Sequence, residues 1–184
     1  GAFSICDQTI EEYSHRFSRN VASSILAADY RIVNGIGRRF GTHLIGYATE
    51  YLVKEGIKDI ERHLIIRPFV AYDGDADKKK RLEREKIISQ CGATIFIFGE
   101  QDNNGENHMS GVMEEFNIAR KLHKTIIPIA YPNMVSSTIW NIVKKNITEY
   151  PYLEGKIDFL NSNYPPDKLA KIIVQILDAV SFSK

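Results

Sequence analysis

The chain has 184 residues, of which 43% are hydrophobic and 26% are charged, as expected for a soluble globular protein with one domain of ordinary size. Its 24 basic and 23 acidic residues leave a net charge of +1, so neither nucleic acid nor a membrane is indicated as a partner. Because there is no signal peptide and no long apolar run, we expect a cytoplasmic protein. The cysteines and histidines show no metal-type spacing, and we expect no metal site.

Apolar periodicity predicts helices that alternate with strands. The first helix opens with a capping-box pattern at 9–12, and its apolar residues then recur three or four apart. In chain order, the further predicted elements are a strand at 30–34, a helix at 42–54, a strand at 63–70, a helix at 78–90, a strand at 93–98, a helix at 111–123, a strand at 125–131, and helices at 137–150 and 166–180. The segment 151–165 carries no clear signal.

This alternation predicts the fold class α/β, with a doubly wound, mostly parallel sheet and helices on both faces, as in Rossmann-like proteins. The strand at 93–98 lacks polar alternation and is therefore expected to be buried on both faces. Such sheets usually open with a strand, whereas this chain opens on a stub. The first strand is therefore expected to be missing or shortened to 3–5, and because the chain starts at Gly1 we expect an excised fragment.

A glycine turn lies between the strand at 30–34 and the next helix. Gly35, Gly37 and Gly41 allow backbone N–H groups to approach a ligand, and Arg38 and Arg39 add positive charge. This combination suits a phosphate or pyrophosphate. The spacing differs from the dinucleotide-binding fingerprint, and a tight turn without a ligand is the alternative.

Three basic residues are candidates for binding the same phosphate. Arg67 ends an apolar strand, at the sheet edge where open α/β sheets bind ligands, and can bind phosphate through two hydrogen bonds. The alternative is a structural ion pair with a glutamate. Lys80 and Arg84 share one side of the next helix, which either closes over the ligand or is an ordinary solvated face.

A second strand–loop–helix crossover follows, from Gly99 through a polar loop to Gly111. One of Glu114 and Glu115, at the start of that helix, is expected to accept hydrogen bonds from ribose hydroxyls, although the helix dipole alone also favours glutamates there. No pairing of a nucleophile with a base stands out, so we predict no catalytic residue and favour binding over catalysis.

Four segments carry a resemblance to a known family: 32–37 (IVNGIG), 64–69 (LIIRPF), 93–99 (ATIFIFG) and 111–119 (GVMEEFNIA). Through them the chain resembles the SLOG family of nucleotide-sensing domains, and in particular its STALD version at the C-terminus of Thoeris anti-phage NADase effectors. The resemblance implies one sensor domain over 1–184, excised from a larger, homo-oligomeric effector. It also implies that a TIR-domain partner makes a cyclic ADP-ribose isomer from NAD, and that this ligand activates a sirtuin-like NADase domain on the same full-length chain.

By the same resemblance, the domain is not itself an enzyme and needs no cofactor. Arg67 and Arg84 would bind the pyrophosphate, and Glu115, or alternatively Glu114, a ribose. The loop 1–3 would match a Ser-Gly-Ser loop that follows the family's first strand. The ligand-binding residues that we expect are Ala2, Phe3, Gly35, Gly37, Arg67, Lys80, Arg84, Gly99, Gly111 and Glu115.

Two rival functions remain open at this point. A LOG-type phosphoribohydrolase that cleaves nucleoside monophosphates shares the fold, but such enzymes carry Pro-Gly-Gly-x-Gly-Thr before the catalytic glutamate. Here the matching region, 104–111, reads NGENHMSG, which counts against hydrolysis. The other rival is a Rossmann module that binds NADP.

Overall fold

The structure, a computed structural model, describes residues 7–35, 39–68, 76–100 and 110–181. Its helices and strands alternate in the predicted order. The elements are α1 (Gln8–Ala27), β1 (Ile32–Asn34), α2 (Phe40–Lys54), α3 (Ile60–His63), β2 (Leu64–Ile66), α4 (Ala76–Ser89), β3 (Ala93–Phe96), α5 (Gly111–Lys121), β4 (Thr125–Pro128), α6 (Val135–Lys145) and α7 (Pro166–Ser181). Three 3₁₀ turns, Ile147–Glu149, Pro151–Leu153 and Ile157–Phe159, fill the connection between α6 and α7.

The strands are shorter than their apolar runs predict. β3 ends at Phe96, because Phe98 and Gly99 turn the chain away from the strand with φ angles of +58° and +90°. β4 ends at Pro128, after which Ala130 forms an isolated parallel bridge with Asn161. β2 was expected to continue to residue 70, but it ends at Ile66, and residues 69 and 70 lie outside the described ranges.

Helix boundaries also differ from the predictions. The N-cap of α1 is Asp7 rather than Thr9, since the Asp7 carboxylate accepts hydrogen bonds from the backbone N–H groups of Thr9 (2.8 Å) and Ile10 (3.3 Å). The capping box at 9–12 was therefore a wrong prediction. The short α3 was not predicted, and α6 begins two residues earlier and ends five residues earlier than its predicted range 137–150.

The described strands form two parallel pairs. β1 pairs with β2, with Ile32 opposite Leu64, and β3 pairs with β4, with Ala93 opposite Thr125. Parallel pairing with helical crossovers agrees with the predicted α/β class. The union of both pairs in one doubly wound sheet with helices on both faces stays a prediction.

An aromatic cluster joins the end of β3 to the helices. The ring of Phe98 lies 5.4 Å from that of Phe40, 5.0 Å from that of Tyr131 and 6.3 Å from that of Tyr13, measured between centroids. Phe98 is fully buried, so its left-handed backbone is held in place by packing on several sides. Outside this cluster, α1 packs against α2 and α7, and α4 packs against α5. None of the described helices combines the length and apolar character needed to cross a lipid bilayer.

Candidate functional site

The carboxyl ends of β1 and β2 place two of the predicted site residues side by side. The Arg67 N–H donates to the carbonyl of Asn34 at 2.8 Å, and Gly35 directly follows Asn34. The Arg67 side chain is exposed, whereas the side chain of Asn34 is buried and its Nδ2 donates to the carbonyl of Gly41 at 3.4 Å. Asn34 therefore ties the strand end to the first turn of α2, across the glycine turn. Gly37, at the centre of that turn, lies outside the described residues.

The start of α2 is suited to an anion. Its N-cap residue is Arg39, which has a positive φ of 53° and makes no side-chain capping bond. A guanidinium has no hydrogen-bond acceptor, so the Arg39 side chain cannot cap the N–H groups of the first turn, and another acceptor has to do so. Together with the helix dipole, this favours negative charge next to the glycine turn.

A second group of predicted residues meets between α4 and α5. The Arg84 guanidinium donates to the Glu114 carboxylate through Nη1, and its Nε lies 3.6 Å from Oε1 of Glu115. These three side chains are 19%, 23% and 27% exposed, so the group is partly shielded from solvent. Arg81 adds a weaker contact, 3.8 Å from Glu114, and is 66% exposed. Lys80, one turn before Arg84 on α4, is half-buried.

Gly111 gives Arg84 its space. A Cβ atom at residue 111 would lie 2.5 Å from Nη2 and 3.2 Å from Cζ of Arg84, well inside van der Waals contact. The hydroxyl of Ser110 caps α5 by accepting from the N–H of Met113 at 3.5 Å. The glycine that we predicted as a ligand contact thus lies against a guanidinium and fixes where that guanidinium can lie.

Gly99 has a packing role that the sequence did not reveal. With φ at +90°, it lies so close to α5 that a Cβ would be 2.8 Å from Cγ2 of Val112. Its carbonyl accepts from the N–H of Val135 at 2.8 Å, and the carbonyl of Phe98 accepts from the N–H of Ser136 at 3.0 Å. The end of β3 therefore caps α6 and contacts α5, and these contacts account for the glycine without a ligand.

The environment of Glu115 raises the pKa of its carboxyl group. Burial disfavours the carboxylate and is the largest cause that raises the pKa above its ordinary value of 4.5. The neighbouring charge of Glu114 adds to this rise, while Arg84 opposes it.

This shift makes a pH prediction. Because the pKa of Glu115 is raised in the folded state, the folded chain binds more protons at this group than the unfolded chain does above about pH 4.5. The contribution of Glu115 to the free energy of unfolding is therefore present at low pH and is lost as the pH rises through the raised pKa. We expect Glu115→Gln to be more stable relative to the unmodified chain at pH 7 than at about pH 5. Urea unfolding at both pH values measures this difference, with Glu154→Gln, an exposed carboxylate, as the control. If the stability difference between Glu115→Gln and the unmodified chain did not change with pH, or changed equally in the control, the raised pKa of Glu115 would be contradicted.

Five of the predicted site residues fall into two described groups, while Gly99 packs against Val112 and Lys80 lies one turn from Arg84 on α4. Gly35 and Arg67 lie together at the β1–β2 end, and Arg84, Gly111 and Glu115 lie together between α4 and α5. Ala2, Phe3 and Gly37 fall outside the described residues, and the meeting of both groups in one pocket stays a prediction. Glu114 was left as the alternative to Glu115, and its bond to Arg84 was missed. The sequence pattern that could have indicated this ion pair is two arginines, at 81 and 84, on one predicted helix and two glutamates at the start of the next.

Comparison with known proteins gives one family and several relatives. The model of the Sir2- and TIR-associating SLOG family, STALD, matches residues 1–180. The chain is 25% identical over 178 residues to a protein named NAD(+) hydrolase ThsA from Bacillus cereus (strain MSX-D12), a match over 92% of this chain and 37% of that protein. Proteins of the same name from Cytobacillus dafuensis and Enterococcus faecium are each 26% identical over 94% of this chain, and over 36% and 37% of their own lengths. The chain therefore spans little more than a third of these relatives.

Proposed function

The chain belongs to the Sir2- and TIR-associating SLOG family, and we propose that it is a regulatory sensor domain that binds a cyclic ADP-ribose isomer. Ligand binding would activate a sirtuin-like NAD-hydrolysing domain on the same full-length protein, in anti-phage defence. The relatives are named NAD(+) hydrolases and are nearly three times as long as their matched part, which leaves room for such a domain. The observation that carries the proposal is the pairing of Arg84 with Glu114 and Glu115, at the helix start where the family resemblance places a ribose contact.

The two groups of residues have complementary chemistry for this ligand. A cyclic ADP-ribose carries a pyrophosphate with two negative charges and ribose hydroxyl groups. Arg67, exposed at the strand edge, and the start of α2, where the N-cap Arg39 makes no side-chain capping bond, suit the pyrophosphate. The carboxyl groups of Glu114 and Glu115 suit the hydroxyls. We propose that both surfaces face one ligand.

Arg84 has a narrower role in this proposal than the resemblance implies. Its guanidinium already contacts two carboxylates, one hydrogen-bonded and one 3.6 Å away, and their negative charge opposes the binding of a phosphate at the same place. We propose that Arg84 mainly positions Glu114 and Glu115, while Arg67 binds the pyrophosphate with help from Lys80. Tighter binding to one arrangement of sensor domains would then shift the assembly of the effector, which we propose is a homo-oligomer in the cytoplasm.

Isothermal titration calorimetry of the 184-residue chain with NAD, ADP-ribose, NADP and the cyclic isomers tests the proposal. We expect one cyclic isomer to bind at least about tenfold more tightly than the linear nucleotides, because a ring that is fixed in its bound shape loses less entropy on binding. Preferred binding of NADP would instead support the plain Rossmann module. No saturable binding of any cyclic isomer would overturn the proposal.

Arg67→Ala tests the pyrophosphate contact. Charge-assisted hydrogen bonds contribute about 1.5 to 3 kcal/mol, so we expect the affinity to fall roughly ten- to hundredfold. Arg62→Ala is the matched control, because Arg62 is also exposed and lies five residues earlier, paired only loosely with Asp59 at 3.7 Å. Equal affinity of the Arg67 variant and the unmodified chain, with the fold intact by circular dichroism, would reject this contact.

The enzymatic alternative has a simple test. The raised pKa of Glu115 is a property that catalytic carboxylic acids share, and it is the feature that keeps the LOG-type hydrolase under consideration. Incubation of the chain with AMP, followed by chromatography for free adenine, distinguishes the two classes. We expect no adenine above the rate seen with Glu115→Gln, and release that depends on Glu115 would favour the enzyme.

A further inference from the structure

Three side chains with metal-binding chemistry meet on α1 and α2. Oε1 of Glu11 lies 3.2 Å from Nε2 of His43 and 3.8 Å from Nε2 of His15. One ligand atom from each residue can be chosen so that all three lie within 4.8 Å of one another. Glu11 and His15 are one turn apart on α1, and His43 arrives through the packing of α2 against α1. The sequence showed no metal-type spacing because this histidine pair is formed only in the tertiary structure.

Hydroxyl groups contact the Nδ1 atoms of both imidazole rings. The Nδ1 atom of His43 lies 2.8 Å from Oγ of Ser14, and the Nδ1 atom of His15 lies 3.0 Å from the Tyr47 hydroxyl. Each hydroxyl oxygen can accept from an Nδ1–H, and this tautomer leaves the Nε2 lone pairs of both rings on the side of Glu11. Metal-binding histidines in proteins are oriented in the same way, with the second ring nitrogen donating to an outer acceptor.

The two oxygens of the Glu11 carboxylate face different groups. Its Oε2 lies 3.2 Å from Nη1 of Arg39, while Oε1 faces the two histidines. Arg39 therefore fixes the carboxylate without occupying the oxygen that faces the imidazoles. A phosphate at this point would meet the charge of Glu11, whereas a cation would be attracted by it.

We infer that Glu11, His15 and His43 form a binding site for one divalent transition-metal ion of the zinc type. Two imidazoles and a carboxylate are the ligand set that such ions accept, at about 2.0 to 2.2 Å from the metal, which places tetrahedral ligand atoms about 3.4 Å apart. The distances of 3.2 and 3.8 Å from Glu11 are close to this value. The rings are stacked, with centroids 3.9 Å apart and planes tilted by 26°, so one ring has to rotate before both lone pairs are directed at one ion.

The ion can reach the site from solvent. The side chain of His15 is 44% exposed and that of Glu11 is 31% exposed, while His43 is only 12% exposed. Water would complete the coordination on the exposed side, as in zinc sites with three protein ligands. None of the three metal ligands is assigned to the nucleotide, but Arg39, which contacts Glu11, is also the N-cap of α2 at the proposed pyrophosphate surface.

Titration of the 184-residue chain, without an affinity tag, with CoCl₂ and then ZnCl₂ tests this inference. We expect visible ligand-field absorption that saturates at one equivalent of Co²⁺ and is displaced by Zn²⁺. At a hundredfold excess of Zn²⁺ over its Kd, the Tm should rise by about 5 to 10 °C. Glu11→Gln and His15→Gln should each weaken Co²⁺ binding at least about tenfold, because each variant removes a ligand.

His63→Gln is the matched control, since His63 lies on α3 outside the cluster, and it should bind Co²⁺ like the unmodified chain. His15 and Glu11 are partly exposed, so their substitutions are expected to leave the fold intact, and circular dichroism checks this. Absence of saturable absorption would overturn the inference. So would Co²⁺ affinity that is unchanged in both the Glu11 and the His15 variants, or that falls equally in the His63 control.

Discussion

Replacement of Gly99 by alanine is expected to lower the free energy of unfolding by about 2 to 4 kcal/mol. The residue has φ at +90°, where an L side chain is strained, and its new Cβ would lie 2.8 Å from Cγ2 and 2.9 Å from Cβ of Val112. Neither side of this contact can move easily, because the Val112 side chain is buried and the Gly99 carbonyl accepts a hydrogen bond from the N–H of Val135. Urea unfolding followed by circular dichroism measures the loss.

Gly92→Ala is the control for this prediction. Gly92 lies seven residues earlier, just before β3, and an added Cβ would meet no atom within 4 Å. The control should therefore change the free energy of unfolding by less than about 0.5 kcal/mol. If Gly99→Ala were as mild as the control, the close packing of the β3 end on α5 would be wrong, and a ligand-contacting role for Gly99 would regain support.

Replacement of Arg84 by glutamine is expected to have the second large effect. It leaves Glu114 and Glu115 close together and partly buried without their shared cation, at a cost of about 1 to 3 kcal/mol in stability. Arg81→Gln is the matched control, because the 66% exposed Arg81 lies 3.8 Å from the same Glu114 and should contribute less than about 0.5 kcal/mol. Equal losses in both variants would show that Arg84 has no special role.

Gly111→Ala displaces Arg84 without removing it. The added Cβ would meet only the end of the Arg84 side chain, at 2.5 Å from Nη2, and this flexible end can move away. We therefore expect a change in stability within about 1 kcal/mol, since alanine is well tolerated at a helix start. The affinity for the cyclic ligand should nevertheless fall, as it should in Arg84→Gln. Unchanged affinity in Gly111→Ala would show that binding does not need the observed position of Arg84.

The sequence by itself determined the alternation of helices and strands and the family. Apolar periodicity and apolar runs depend on residue type alone, which is why the described elements appear in the predicted order. Where each helix or strand ends depends also on contacts with residues that are distant in sequence. β3 was predicted to reach residue 98, but whether Phe98 continues a strand or turns into the aromatic cluster is decided by its neighbours Phe40 and Tyr131. The cap of α1 likewise depends on which of Asp7 and Thr9 the chain geometry brings to the N–H groups.

For the candidate site, the sequence identified residue types and only the tertiary structure decided what they do. Arg84, Gly111 and Glu115 were all predicted to contact the ligand, yet Gly111 lies against Arg84 and Arg84 contacts both carboxylates. The meeting of Glu11 with two histidines is a further case. Contacts between residues about thirty positions apart arise when helices pack, because the energy of packing is shared among many apolar side chains and leaves no local pattern in the sequence.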